Sequence, residues 1–254
     1  MNARVFWLYC FIAGALPTIP VFGQASPQDS ASLTAAVTTA SKQYAQAMGP
    51  NTLLTNGPEY IDYKLPYMKG HQFFGDGSQQ IGAVYFDGVL YKDVPLWYDI
   101  KLDQVVSQVV ASPLKVRLVS EKITYFAFGE HTFTRIVTGS VADNSVPTGF
   151  YDLLVDGRAR LLAKRVKVLH TKAGPNGIEG SFPEAVTYFL QQENRFYPVS
   201  SKNGVAKLLS DKKSELEAYA RQHKLKFNKA SRETSLAELV TYYNSVQGQL
   251  SQSK

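Results

Sequence analysis

The chain has 254 residues, 27 Lys+Arg against 21 Asp+Glu, a formal net charge of +6, 44% hydrophobic and 12% aromatic residues, and one cysteine. This is the composition of a folded chain rather than a disordered one. A single cysteine leaves no pair for an internal disulfide and no set for Cys-ligated zinc.

The amino terminus reads as a cleavable signal peptide over residues 1–23. Arg4 supplies the positive start, Val5 to Leu16 is apolar, and Val21-Phe22-Gly23 places small or branched residues at −3 and −1 of a cut before Gln24. The apolar core ends in Pro17 and Pro20 after 12 residues, whereas a membrane-spanning helix needs about 20. Cleavage and the absence of a transmembrane span are therefore expected. Cys10 lies mid-core after Tyr9, where a lipoprotein signal would not place its modified cysteine. The mature chain would be free of cysteine and exported, to the periplasm, the outer-membrane periphery or the medium.

A polar linker over 24–30 leads to a helical spacing of Leu33, Val37, Ala40, Tyr44, Ala47 and Met48 that stops at Gly49-Pro50. Residues 51–76, rich in Gly, Pro and Tyr, read as turns and short extended pieces. From Ile81 to Val199 strands alternate with turns too short for crossover helices, which requires antiparallel pairing. Asp87-Gly88 between Ile81–Phe86 and Val89–Tyr91 signals a two-residue hairpin, and Asp156-Gly157 suggests a second. Val94, Leu96, Tyr98 and Ile100 alternate with Pro95, Trp97 and Asp99; further strands are expected at 104–110, 114–119, 123–128, 132–137, 150–155, 158–170, 184–192 and 196–199. Two amphipathic helices close the chain, one from near Asp211 with Leu216, Tyr219, Ala220 and His223 on one face. The other carries Leu236, Leu239, Val240 and Tyr243, with Ser231 placed where it could cap it.

The expected fold is α+β and mainly antiparallel β. A meander of about ten strands would form a curled sheet, an open barrel or a sandwich, with an N-terminal helix and a C-terminal helical hairpin. Residues 31–200 would hold the first helix and the sheet, and 201–254 a basic hairpin packed on it. Ser201 to Lys254 holds ten basic and five acidic residues, while Gln24 to Ser200 is balanced. Lys224, Lys226, Lys229 and Arg232, between and beside the two helices, are the candidate contacts for an anionic surface or another envelope protein. The plainer reading is a solvated face. Nucleic acid is not expected, because export separates the chain from it and no dense Arg/Lys stripe occurs.

The runs Tyr85-Phe86-Asp87-Gly88-Val89-Leu90-Tyr91, Val94-Pro95-Leu96-Trp97-Tyr98-Asp99 and Thr148-Gly149-Phe150-Tyr151-Asp152-Leu153-Leu154-Val155-Asp156-Gly157 resemble a family of exported proteins abundant in Gram-negative Bacteroidota. The closing stretch, with Lys224-Leu225-Lys226-Phe227 and Tyr242-Tyr243-Asn244, is similar too. The resemblance implies export and one coherent mature chain; it brings no catalytic residues with it.

No catalytic, metal or cofactor motif stands out. His71, His131, His170 and His223 are far apart, without the close pair a zinc hydrolase shows. Ser78 lacks the flanking glycines of a nucleophile elbow, and Gly75-Asp76-Gly77-Ser78 is not followed by a calcium ladder. Asp87, Asp93 and Asp103 sit at turn-like breaks, where Asp is favoured for its short hydrogen-bonding side chain. Asp99, inside a strand, is the odd carboxylate, and with His71 it defines a hydrolase alternative.

Ten aromatics lie between Tyr60 and Tyr98. Of these Tyr85, Tyr91, Trp97 and Tyr98 are candidate binding residues, for a sugar ring or for an apolar ligand carried in the curled sheet; core packing is the competing reading. Strand alternation lets at most half of them face one site.

Overall fold

A computed structural model of the chain describes residues 32, 35–40, 43, 53–109, 112–139, 146–175, 177–193 and 195–252, the last six by backbone alone. The expected signal peptide and linker lie outside the described residues. The chain divides into two compact units, Met1–Ala47 and Met48–Lys254. The described residues of the first unit are helical (α1), with the Thr39 hydroxyl donating to the Ala35 carbonyl at 2.8 Å. Among the described residues no helix is long and apolar enough to cross a membrane.

The second unit is mainly antiparallel β. Ten of its strands form one sheet: β2 (Gln80–Phe86), β3 (Val89–Asp99), β4 (Gln104–Gln108), β5 (Lys115–Arg117), β6 (Ile123–Phe128), β7 (His131–Ile136), β8 (Gly149–Val155), β9 (Arg160–Lys167), β12 (Glu184–Gln192) and β13 (Arg195–Val199). Their spatial order is β13-β12-β9-β8-β7-β6-β2-β3-β4-β5, two meanders joined where β6 returns to the free side of β2. That return is pinned to the β2–β3 turn. The Asp87 N–H donates to the Lys122 carbonyl at 2.8 Å and Lys122 Nζ pairs with the Asp87 carboxylate at 2.8 Å. The turn has the positive φ that its two residues require, 50° at Asp87 and 81° at Gly88.

The sheet curls but does not close into a barrel. The turn between β3 and β4 reaches across to β8 and β9 without forming a ladder: Lys167 N–H donates to the Ile100 carbonyl at 3.3 Å, and Lys164 Nζ pairs with Asp103 at 2.9 Å. Asp103 also accepts from the Phe150 N–H and the Tyr98 hydroxyl. It sits where a side chain on Gly149 would stand, 2.1 Å from the position of an added Cβ.

Alternation decides what faces the inside of the curl. Val84, Phe86, Leu96, Tyr98, Phe126, Phe133 and Phe150 are buried together there. Phe126 lies 4.9 Å from Phe133 and 5.1 Å from both Tyr98 and Phe150, ring to ring, contacts worth about 0.5–1.5 kcal/mol each beyond simple burial. Trp97, one residue out of phase, packs on the other face with Tyr60, Phe73 and Val106.

Three helices follow the sheet rather than two: α2 (Lys202–Leu208), α3 (Lys213–Gln222) and α4 (Arg232–Gln252). The first had no counterpart in the sequence reading; Ser201 caps it by accepting from the Gly204 N–H at 3.2 Å. Val205, Leu216, Ala220, Leu236, Leu239, Val240 and Tyr243 cover Leu161, Ala163, Tyr188 and Leu190 of the sheet. Apolar faces that would be exposed in isolated helices thus become the second core.

Two local expectations need correction. The Asp156-Gly157 connection is not a two-residue hairpin like the first, because strand pairing stops at Val155 and Leu161. A side chain in α4 holds this longer loop: Asn244 accepts from the Ala159 N–H at 3.0 Å and donates to the Ala159 carbonyl at 2.9 Å. The expected strand 158–170 ends at Lys167 as β9, and a separate strand, β10 (His170–Gly174), begins at its last residue. β10 leaves the large sheet and pairs with β11 (Gly177–Ser181), which pairs in parallel with the two-residue β1 (Met68–Lys69).

Candidate functional site

The aromatic candidates do not converge. Tyr98 is 2% exposed and part of the inner core, and Trp97, 8% exposed, lies on the opposite face with Lys115 Nζ 4.1 Å above its ring. Tyr91 packs edge-on to Phe86, and Tyr85 stacks on Tyr125 with centroids 5.5 Å apart and planes 6° from parallel. Tyr85 and Tyr125 are cross-strand partners on the outer side of β2 and β6, the geometry in which sheet aromatics stabilise each other.

The hydrolase candidates lie in and beside a buried polar layer. Asp99 is completely buried. Its carboxylate accepts from the hydroxyls of Tyr60 and Tyr63, each at 2.9 Å, and from the backbone N–H groups of Lys101 and Leu102, each at 2.9 Å. It caps the β3–β4 turn and ties down the segment that covers the outer face of β3. Burial pushes both tyrosine hydroxyls well above their ordinary pKa. Gln72 donates to Tyr60 and to Asp62. Lys167, 7% exposed, donates to the Phe73 carbonyl at 2.6 Å, and burial lowers its pKa. His71 stands in the field of Lys167, and burial followed by that positive charge lowers its pKa. No contact joins His71 to Asp99 among the described residues.

A second centre, which the sequence reading did not single out, joins three strands to α4. Asp152 in the middle of β8 is 1% exposed. Its Oδ2 accepts from Arg165 Nε at 2.9 Å and Nη2 at 2.8 Å, and meets His131 Nδ1 at 2.8 Å. The other oxygen, Oδ1, is buried without a hydrogen-bond partner. Arg165 Nη2 also donates to Glu233 Oε1 at 2.9 Å, and the Tyr188 hydroxyl donates to Glu233 Oε2 at 3.1 Å. Phe74 closes one side, its ring 4.8 Å from His131 edge-to-face and 5.5 Å from the Arg165 guanidinium. The His131 side chain keeps 35% of its surface. The hydrogen bond to Asp152 raises its pKa, against the opposing effect of burial. The carboxylate accepts from Nδ1–H, so the proton that titrates is the one on Nε2. A buried Asp inside an otherwise apolar strand was the available signal, the same oddity that marks Asp99.

The basic candidates occupy one built surface, the link between α3 and α4. Lys224, Lys226 and Lys229 are exposed, while Leu225 and Phe227 between them are half-buried against the helical core. The link is ordered by its own bonds: Asn228 Oδ1 accepts from the N–H groups of Ala230 and Ser231, and the Ser235 hydroxyl donates to the Lys226 carbonyl at 2.8 Å. Arg232 Nε donates to the Phe227 carbonyl at 3.3 Å. The nearby carboxylates turn elsewhere, Glu233 to Arg165 and Glu238 to Tyr219. Among the described residues these four cations have no ion pair.

Among the described residues no group of three or more His, Cys, Asp or Glu is placed to hold a metal ion. A shallow groove of about 760 Å³ runs along the small sheet beside Lys69, His170, Thr171, Lys172, Glu179 and Ser181. No protein-family model matches the chain, and no curated protein or solved structure is significantly similar to it.

Proposed function

We propose that the protein is an exported, non-enzymatic binding module of the cell envelope that docks on an anionic lipid surface through the α3–α4 link. The observation that carries this reading is the ordered array of Lys224, Lys226, Lys229 and Arg232, without ion pairs among the described residues, while the neighbouring carboxylates Glu233 and Glu238 are engaged by Arg165 and Tyr219. Alternation of lysine with inward Leu225 and Phe227 presents charge without an apolar wedge, which suits peripheral docking rather than insertion. Lysine, a mobile point charge, fits a diffuse headgroup layer better than a single bidentate ligand, for which arginine is the usual choice. Export rests on the signal-like amino terminus and on the family resemblance. The Asp99 layer gives a hydrolase little support, because its four donors saturate the carboxylate. The filled interior of the curl gives a carrier little support either.

Co-sedimentation of the chain from Gln24 onward with phosphatidylglycerol vesicles, and with neutral phosphatidylcholine vesicles, tests the reading across a salt series. Binding to the anionic vesicles alone, falling as salt rises and lost in Lys224→Glu/Lys226→Glu/Lys229→Glu, is the expected result. Equal binding by the triple variant, or none by the parent chain, overturns it.

A further inference from the structure

The junction between the sheet and α4 concentrates more charge than packing requires. His131 of β7, Asp152 of β8, Arg165 of β9 and Glu233 of α4 form one continuous set of contacts. With His131 protonated, two cations balance two carboxylates. Without that proton the set carries one excess negative charge, and Asp152 has a buried oxygen with no donor to absorb it. Such an imbalance weighs most where solvent is excluded, and Asp152 and Arg165 are 1% and 8% exposed. His131 alone of the strand residues in the set reaches solvent appreciably, so proton exchange needs no unfolding.

We propose that this set is a proton-operated latch: protonated His131 holds the start of α4, and with it the adjoining basic link, on the sheet, and deprotonation loosens that hold. Several elements face His131. β8 gives Asp152, β9 gives Arg165, α4 gives Glu233, and the segment after β1 gives the uncharged ring of Phe74. β12 contributes Tyr188, which Glu233 engages, and Arg232 lies close enough to act on that tyrosine. Of these, His131 is the one whose ordinary titration range lies near neutrality. Its raised pKa agrees in sign. A folded-state value above the unfolded one gives stability that is full below the ordinary histidine value of about 6.5 and is lost as pH rises through the raised value. The mechanical link is short, since Glu233 directly follows Arg232 and the link ends there. The latch does not depend on the lipid-docking role of the link.

The test is hydrogen exchange of the amides at 232–236, corrected for intrinsic pH dependence, between pH 5.5 and 8.5, in the parent chain and in His131→Gln. The expected result is an acceleration of roughly threefold or more on raising the pH in the parent, and none in His131→Gln. A Glu233→Gln variant guards against a His131 variant that fails to fold. It keeps His131 and Asp152 but cuts the connection to α4, so exchange at 232–236 should be fast at every pH. The same pH dependence in parent and His131→Gln, or a Glu233→Gln profile identical to the parent, overturns the latch. So does a His131 NMR titration midpoint at or below the ordinary histidine value. Vesicle binding is absent from these readouts, so failure of the docking role leaves the test of the latch intact.

Discussion

Asp99 and Asp152 are both buried carboxylates in the middle of strands, yet the structure completes one and leaves the other lopsided. Asp99 spreads four donors over its two oxygens, all of them hydroxyls or backbone N–H groups, and nothing around it titrates near neutrality except the more distant His71. Asp152 crowds three nitrogen donors on Oδ2 and leaves Oδ1 bare. The first arrangement fixes a turn and a covering segment. The second ties separate elements through charges, one of which can come and go. A buried acid thus becomes responsive when the groups around it are ionisable and its own valences are unevenly used.

Replacing Arg165 by Met gives the sharpest contrast, because it leaves the buried Asp152 with one of its three donors, His131 Nδ1, and takes the ion pair from Glu233. A loss of about 3–5 kcal/mol in denaturant unfolding is expected. Asp99→Asn keeps one acceptor oxygen and places an amide beside two hydroxyls and two N–H groups. A loss of about 1–3 kcal/mol is expected from the same unfolding curves. A larger effect at Asp99 than at Arg165 would reverse the ranking of the two centres. Asn244→Ala, which frees both backbone groups of Ala159, should cost about 1–2 kcal/mol and show first as faster exchange in the β8–β9 loop.

The smallest effects separate two histidines by sign. His71 has its pKa lowered, so the stability it contributes is present above the ordinary histidine value of about 6.5 and fades as pH falls through the folded value. His131 acts in the opposite window, above that value. Thermal melts at several pH values should therefore show His71→Gln flattening the acid side of the stability curve and His131→Gln the neutral-to-alkaline side. Both variants acting on the same side would contradict the assignment.

Much of the fold was legible where the determinants are local. Asp87-Gly88 fixes its hairpin by itself, and the alternation through Leu96, Tyr98 and Ile100 sorts inward from outward residues without help from the rest of the chain. Asp156-Gly157 resembled the same device, but its conformation is set by Asn244, far away in sequence. The small sheet was missed because β10 is largely exposed and shows no apolar alternation, and its other edge strand, β1, has two residues. The basic link was legible as composition, and its order was not, since that comes from Asn228 and Ser235. The Asp152 centre was hidden for another reason: its charged members sit on four elements between residues 131 and 233, and no spacing rule connects them. The aromatic run was visible, but whether it was core or site depended on curvature, and the curl buries Tyr98 among Phe126, Phe133 and Phe150.

The central claim, that this is a binding module acting through the α3–α4 link, is tested most directly by a hydrogen-exchange footprint of the chain from Gln24 onward on phosphatidylglycerol vesicles. Protection at 224–232, with the outer face around Tyr85 and Tyr125 unchanged, is the result the account predicts. Protection centred on Tyr85 and Tyr125, or no protection anywhere, would contradict it.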